Sequence, residues 1–114
     1  MNLIDLLKII AAVATIATGL FSLIKPLAVR SFTGLELPGP RGVTEIRAVL
    51  GGFFIVLGAV PLVFHSREMF LMLGLAYLGV ALVRTVSIFW DKSFVQSNYI
   101  SLAAEIVLGI ILVL

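Results

Sequence analysis

Apolar residues fill four long stretches of the chain, and shorter polar segments separate them. A helix crosses the ~30 Å hydrocarbon core of a bilayer with about 20 apolar residues, so each stretch is long enough to span a membrane. The pattern predicts helices at about 3–24, 43–64, 68–89 and 95–114. Together they predict one all-α domain over residues 1–114, an integral membrane four-helix bundle.

The connections between the predicted helices differ in length. Residues 65–67 form a tight turn, so the second and third helices should be antiparallel neighbours. The connection over residues 25–42 is longer, and its part from Pro26 onwards can form a short interfacial helix. Residues 3–24 have mixed charges at their start and no clean cleavage site after them, so we expect a retained helix rather than a signal peptide.

Composition supports a membrane environment. The 114 residues are 61% hydrophobic and 12% charged, with a mean hydropathy of +1.23. A soluble domain of this size could not cover its surface with so few polar groups. Lys and Arg are scattered singly, which argues against a nucleic-acid surface. Because cysteine is absent, no disulfide or thiolate metal site can form. We predict no metal, no cofactor and no nucleic-acid partner.

Basic residues near the helix ends predict an orientation. One side of the membrane holds Lys25, Arg30, Arg41 and Lys92, and the side with both termini holds Lys8 and Arg67. Cytoplasmic segments carry an excess of Lys and Arg. Both termini are therefore predicted to lie outside the cytoplasm.

Four ionisable residues interrupt the predicted membrane helices: Glu45, Arg47, Arg84 and Glu105. A helical rise of 1.5 Å per residue places all four roughly 5–12 Å below the same membrane face, so they can meet. An unpaired charge at a helix centre costs at least ~2.5–3.5 kcal/mol, whereas two acids and two bases can neutralise one another. We predict an intramembrane polar cluster that is either a structural ion-pair network or a binding site.

Other polar and small residues accompany this cluster. The supporting polar residues are Tyr77, Ser87, Asp91 and Ser101. The second helix carries small residues that allow close helix approach, and its predicted packing positions are Gly51, Gly52 and Gly58. The only histidine, His65, lies in a turn without nearby ligands, so no metal role is predicted for it.

The run Gly-Val-Thr-Glu-Ile-Arg-Ala-Val-Leu-Gly-Gly over residues 42–52, with Arg84 and Glu105 after it, resembles a family of small bacterial membrane proteins. That family has four helices, no assigned function and a place among the DoxX-like proteins. The resemblance covers nearly the whole chain and implies a four-helix bundle in the bacterial cytoplasmic membrane. Ser87 and Asp91 also carry the resemblance, which picks out as the family's shared positions Glu45, Arg47, Gly51, Gly52, Arg84 and Glu105. It implies no activity, because DoxX-like relatives are linked both to quinone-coupled oxidation and to receptor assembly.

Two functions from different classes remain open. The absence of a complete catalytic motif and the small-residue helix faces favour a non-enzymatic accessory or assembly subunit, which packs on another membrane protein or on a second copy of itself. The alternative is a protein that uses the charged cluster to bind a quinone or lipid headgroup, or to move a proton or small solute. Intramembrane ionisable groups support the alternative, because they often mark function.

Overall fold

The computed structural model describes residues 1–114, and all regular structure in it is helical. The helices are α1 (Leu3–Ile24), α2 (Pro26–Thr33), α3 (Pro40–Phe64), α4 (Arg67–Trp90) and α5 (Gln96–Val113). All of them except α2 are long and apolar enough to cross a membrane. The predicted all-α class with four membrane-spanning helices is confirmed.

The helix bounds differ most from the sequence-based ones at α3. This helix begins at Pro40 rather than at residue 43, because proline suits the first helical position, where its missing N–H is not needed. Within α3, Ile46–Phe53 is π-helical, a widened coil that hydropathy cannot reveal. Before α3, helix α2 ends at Thr33 and is capped by Gly34, whose φ of 77° is a left-handed conformation that glycine adopts most easily.

The chain divides into two compact units, and the first unit comprises residues 12–64. In this unit α1 and α3 approach until their backbones touch. A Cβ added to Gly19 would lie 2.6 Å from the carbonyl oxygen of Gly51, and one added to Gly58 would lie 2.5 Å from that of Ala12. No side chain fits these gaps, so glycine permits the close packing of the two helices.

The second unit comprises residues 1–11 and 65–114 and contains the antiparallel pair α4 and α5. Glycine again sets the distance between the helices. A Cβ added to Gly74 would lie 2.8 Å from the Cβ of Leu112 and 3.0 Å from the carbonyl oxygen of Gly109. Leu112 is fully buried at this contact, whereas large apolar side chains such as Leu82 are exposed, as expected of a surface that faces lipid.

Candidate functional site

Arg84 of α4 and Glu105 of α5 form a two-pronged ion pair within the second unit. Nε of Arg84 donates to Oε1 of Glu105 and Nη2 donates to Oε2, each over 2.8 Å. The side chain of Glu105 is 11% exposed and that of Arg84 is 30% exposed. Counted from Trp90, the last residue of α4, Arg84 lies about 9 Å along the helix axis. The pair therefore lies within the membrane-spanning part of the protein.

Helix packing explains why the two side chains reach each other. Gly74 and Gly109 bring α4 and α5 to backbone distance, and the antiparallel direction puts Arg84 opposite Glu105. Either charge alone would cost at least ~2.5–3.5 kcal/mol near a helix centre in lipid. Paired, the charges cancel, and two parallel N–H···O bonds fix the geometry.

Asn98, in the first turn of α5, adds a third hydrogen bond to the guanidinium group. Nη1 of Arg84 donates a hydrogen bond to the side-chain carbonyl oxygen of Asn98 over 3.0 Å. The amide nitrogen of Asn98 in turn donates to the carbonyl and hydroxyl oxygens of Ser93, over 3.0 and 3.1 Å. A guanidinium group has five N–H bonds, so two N–H groups of Arg84 remain for a further acceptor.

An open groove of about 560 Å³ runs along α4 beside this network. Its polar lining consists of Arg84, Ser87, Ser93 and Asn98, and its apolar lining consists of Ala76, Gly79, Val80, Val83 and Ile88. The lining residues of α4 extend over about 18 Å of helix. Toward its apolar end the groove is open, because a Cβ added to Gly79 would have no atom within 4 Å. The groove therefore combines a polar end with a long apolar wall.

The other two residues of the predicted cluster have partners within the first unit. The carboxylate of Glu45 accepts a hydrogen bond from Nη1 of Arg41, one turn earlier in α3, and both side chains are exposed. Nε of Arg47 donates to the carbonyl oxygen of Leu23 over 3.1 Å. Leu23 lies in the last turn of α1, where carbonyl groups lack helical donors and the helix dipole favours a cation. Arg47 thus caps the C-terminus of α1.

The remaining predicted residues are distributed as follows. The hydroxyl of Ser87 donates to the carboxylate of Asp91 at the end of α4. Tyr77 and Ser101 are half-buried. Gly51 and Gly58 lie at the α1–α3 contact, whereas a Cβ on Gly52 would approach only the helix's own backbone, at 3.9 Å.

Two polar residues of the site, Asn98 and Ser93, were not predicted from the sequence. A signal for Asn98 is present, because it precedes Glu105 by two helical turns and therefore shares a face of α5 with it. Ser93 lies in the connection after α4, where periodicity carries no information. The partner of Arg47, the backbone carbonyl group of Leu23, likewise cannot be predicted from the pattern of side chains along the sequence.

Four membrane-spanning helices, with an ion pair buried between two of them, define an integral membrane protein. The sequence model of a family described as a domain of unknown function, DUF4345, matches residues 4–114. The chain therefore belongs to the DUF4345 family, which confirms the predicted membership of a family without an assigned function. No curated protein and no solved structure matches the chain.

Proposed function

We propose that the protein is a non-enzymatic membrane protein that binds a quinone-like molecule in the α4–α5 groove. The observation that carries this proposal is the pair of unused N–H groups on Arg84 at the polar end of a groove whose other wall is apolar. A carbonyl oxygen of the head group would accept a hydrogen bond from Arg84. The apolar tail would lie along Gly79 and Val83, where the groove is open.

The charge of the site favours a neutral head group over a phosphate. Glu105 already balances Arg84 at 2.8 Å. At an effective dielectric constant of ~20, a phosphate 4 Å from the guanidinium group gains about 4 kcal/mol, and its repulsion by a carboxylate 7 Å away costs about 2.4 kcal/mol. More than half of the attraction is lost, and the phosphate would also lose its hydration. A carbonyl group keeps its hydrogen bond without this repulsion.

The single tryptophan of the chain supplies a built-in reporter. Trp90 closes α4, about 9 Å along the helix from Arg84. Quinones quench tryptophan fluorescence at short range. Titration of the detergent-purified protein with a short-chain ubiquinone should therefore quench Trp90 with a saturable dependence on concentration, whereas simple partition of quinone into micelles gives no saturation.

A groove-filling substitution tests where the quinone binds. Gly79→Leu adds a side chain at a position where a Cβ would meet no atom within 4 Å, and it should weaken saturable quenching about tenfold or more, the equivalent of ~1.4 kcal/mol. Ala104→Leu on α5 is the matched control, because Ala104 is exposed and does not line the groove. Equal quenching in the wild type and both variants would refute the proposal.

The ion pair can be separated from the groove with a double variant. Arg84→Met with Glu105→Leu removes both charges and should leave a folded protein that no longer binds quinone saturably. Retention of wild-type binding by this variant would mean that the pair only fixes the helices. A helicity measurement by circular dichroism accompanies both results.

A second candidate function is that of an accessory or assembly subunit in a larger membrane complex. The open face at Gly79, with Ala76 beside it, would let a helix of another membrane protein approach α4 closely. If this function is correct, Gly79→Leu should abolish the co-purification of a partner protein rather than the binding of a quinone. Purification of the wild type and this variant at native expression, followed by mass spectrometry of the bound proteins and lipids, distinguishes the two functions.

We further propose a location in the bacterial cytoplasmic membrane, a DoxX-like relationship and both termini outside the cytoplasm. The orientation is supported by the basic residues of α2 and the connections beside it, and the location by the resemblance described above. Because the chain has no cysteine, Ser66→Cys and Thr33→Cys can each be labelled alone. A membrane-impermeant maleimide should label Cys at position 66 in intact cells and spare position 33; the reverse pattern would invert the orientation.

A further inference from the structure

A second cavity, of about 500 Å³, lies in the second unit at the end of α4 opposite to the ion pair. It opens beside the start of α1 and the start of α4, so it lies near the other face of the membrane. Its charged and polar lining residues are Asn2, Asp5, Lys8, His65 and Arg67, and Ile4, Ile9 and Phe70 are among its apolar lining residues.

Lys8 is the unusual residue of this cavity. Its relative exposure is only 9%, and no hydrogen bond or ion pair is formed by its side chain. No fully enclosed side-chain nitrogen or oxygen of the chain lacks a partner, so the ammonium nitrogen of Lys8 keeps some accessible surface, and Lys8 is one of the residues that line the cavity. A buried ammonium group is costly unless a polar partner meets it. The cavity is where such a partner would lie.

The neighbouring groups make the cavity positive. Arg67 adds a second basic side chain, and Asp5 is the single acidic side chain in the lining. Asp5 forms no ion pair with Lys8, and its carboxylate accepts a hydrogen bond from the backbone N–H of Asn2 over 3.3 Å. One side-chain carboxylate thus faces two side-chain cations, so an anion would find net attraction there, in contrast to the balanced groove at Arg84.

The backbone also marks this place. His65 has a φ of 48°, a left-handed conformation that is uncommon for residues other than glycine and costs of order 1 kcal/mol or more. His65 lies in the tight turn between α3 and α4, and both His65 and Arg67 are lining residues of the cavity.

We propose that this cavity binds a phosphate group, with Lys8 and Arg67 as its cationic donors. An ammonium group provides a point charge and a guanidinium group provides paired N–H donors, and both are common partners of phosphate oxygens. The apolar residues of the lining suit the glycerol and acyl part of a phospholipid. The phosphate comes either from an anionic lipid of this membrane face or from free phosphate in solution.

Native mass spectrometry of the full chain tests this proposal. The probe is phosphatidylglycerol, added to the detergent-purified wild type and to Lys8→Met, Arg67→Gln and the control Lys92→Met. Loss of one charge-assisted hydrogen bond should weaken lipid retention about tenfold in the first two variants. Lys92→Met should bind like the wild type, because Lys92 is an exposed lysine at the other end of α4.

A second arm identifies the source of the phosphate. The same four proteins are titrated with inorganic phosphate, and binding is followed by the broadening of the phosphorus NMR signal. Lipid retention that falls in the two cavity variants supports the lipid; phosphate binding that falls in them without a change in lipid retention supports free phosphate. Wild-type binding of both probes by Arg67→Gln would overturn the proposal, even if Lys8→Met failed to fold, because the exposed Arg67 can be replaced without disturbing the core.

Discussion

Replacing both partners of the Arg84–Glu105 pair should damage the protein less than replacing either one. Glu105→Leu leaves a guanidinium group in a membrane-spanning helix without a counter-charge, which costs at least about 2.5–3.5 kcal/mol. That cost stays near the low end, because 30% of the Arg84 side chain is exposed and can be hydrated. Arg84→Met leaves a carboxylate that is only 11% exposed, and removal of one partner from a buried pair costs about 3–5 kcal/mol.

The double variant Arg84→Met with Glu105→Leu removes both charges and fills the space with apolar side chains. Replacement of a whole buried ion pair by apolar residues of similar volume is often neutral or stabilising. We therefore expect its free energy of unfolding to lie within about 1 kcal/mol of the wild type and above both single variants. The double-mutant cycle should give a coupling free energy of at least about 3 kcal/mol.

The assay is reversible unfolding in mixed detergent micelles, followed by circular dichroism. The chain offers a matched control in the pair Arg41–Glu45, whose side chains are 80% and 54% exposed. Because that pair is solvated and joins residues one turn apart, its coupling should stay below about 0.5 kcal/mol. If the Arg84–Glu105 double variant loses the sum of the two single losses, the charges do not depend on each other and the reasoning fails.

Three further outcomes are expected in the same unfolding assay. Gly19→Ala should lower the free energy of unfolding by about 1–3 kcal/mol, because its new Cβ would lie 2.6 Å from a backbone oxygen of α3. Gly79→Ala, with open space around it, should be neutral or stabilising by up to about 1 kcal/mol. Similar losses at both positions would contradict the packing described above. Asn98→Ala should lower the free energy of unfolding by about 1–3 kcal/mol, because one N–H of Arg84 and two oxygens of Ser93 lose their hydrogen-bond partner. An unchanged free energy of unfolding would show that water replaces the Asn98 amide fully. Arg47→Met should cost about 0.5–1.5 kcal/mol through the lost cap of α1, and Arg47→Lys, which keeps the positive charge, should cost less; equal losses would exclude a contribution from the helix dipole.

The four spans follow from the sequence because hydropathy reports burial in lipid directly, one residue at a time. The approach of Arg84 to Glu105 follows from the same counting, since equal depth on neighbouring antiparallel helices brings two side chains together. Arg47 shows the limit of that counting. Its depth suggests a place in the charged cluster, yet its observed partner is a backbone carbonyl group that appears only when Pro26 ends α1.

Backbone geometry accounts for most of what the sequence did not reveal. The π-helical segment Ile46–Phe53 adds no hydropathy signal, although the side chains on either side of it depend on its wider turn. The cavity around Lys8 was also hidden. The sequence places Lys8 and Arg67 on the same membrane face, but only the packing of the start of α1 against the start of α4 shows that both line one cavity.

The second unit thus offers two binding places whose ligands should differ for one physical reason. At the end of α4 near Trp90, a carboxylate 2.8 Å from the guanidinium group removes most of the attraction for an anion and leaves hydrogen-bond donors for a neutral acceptor. At the other end, Lys8 has no carboxylate within ion-pair distance, so its charge is available to an anion. Whether an intramembrane cation selects a neutral or a charged ligand then depends on its nearest acid rather than on its own chemistry. A quinone and an anionic lipid should therefore bind the second unit independently, and neither should displace the other.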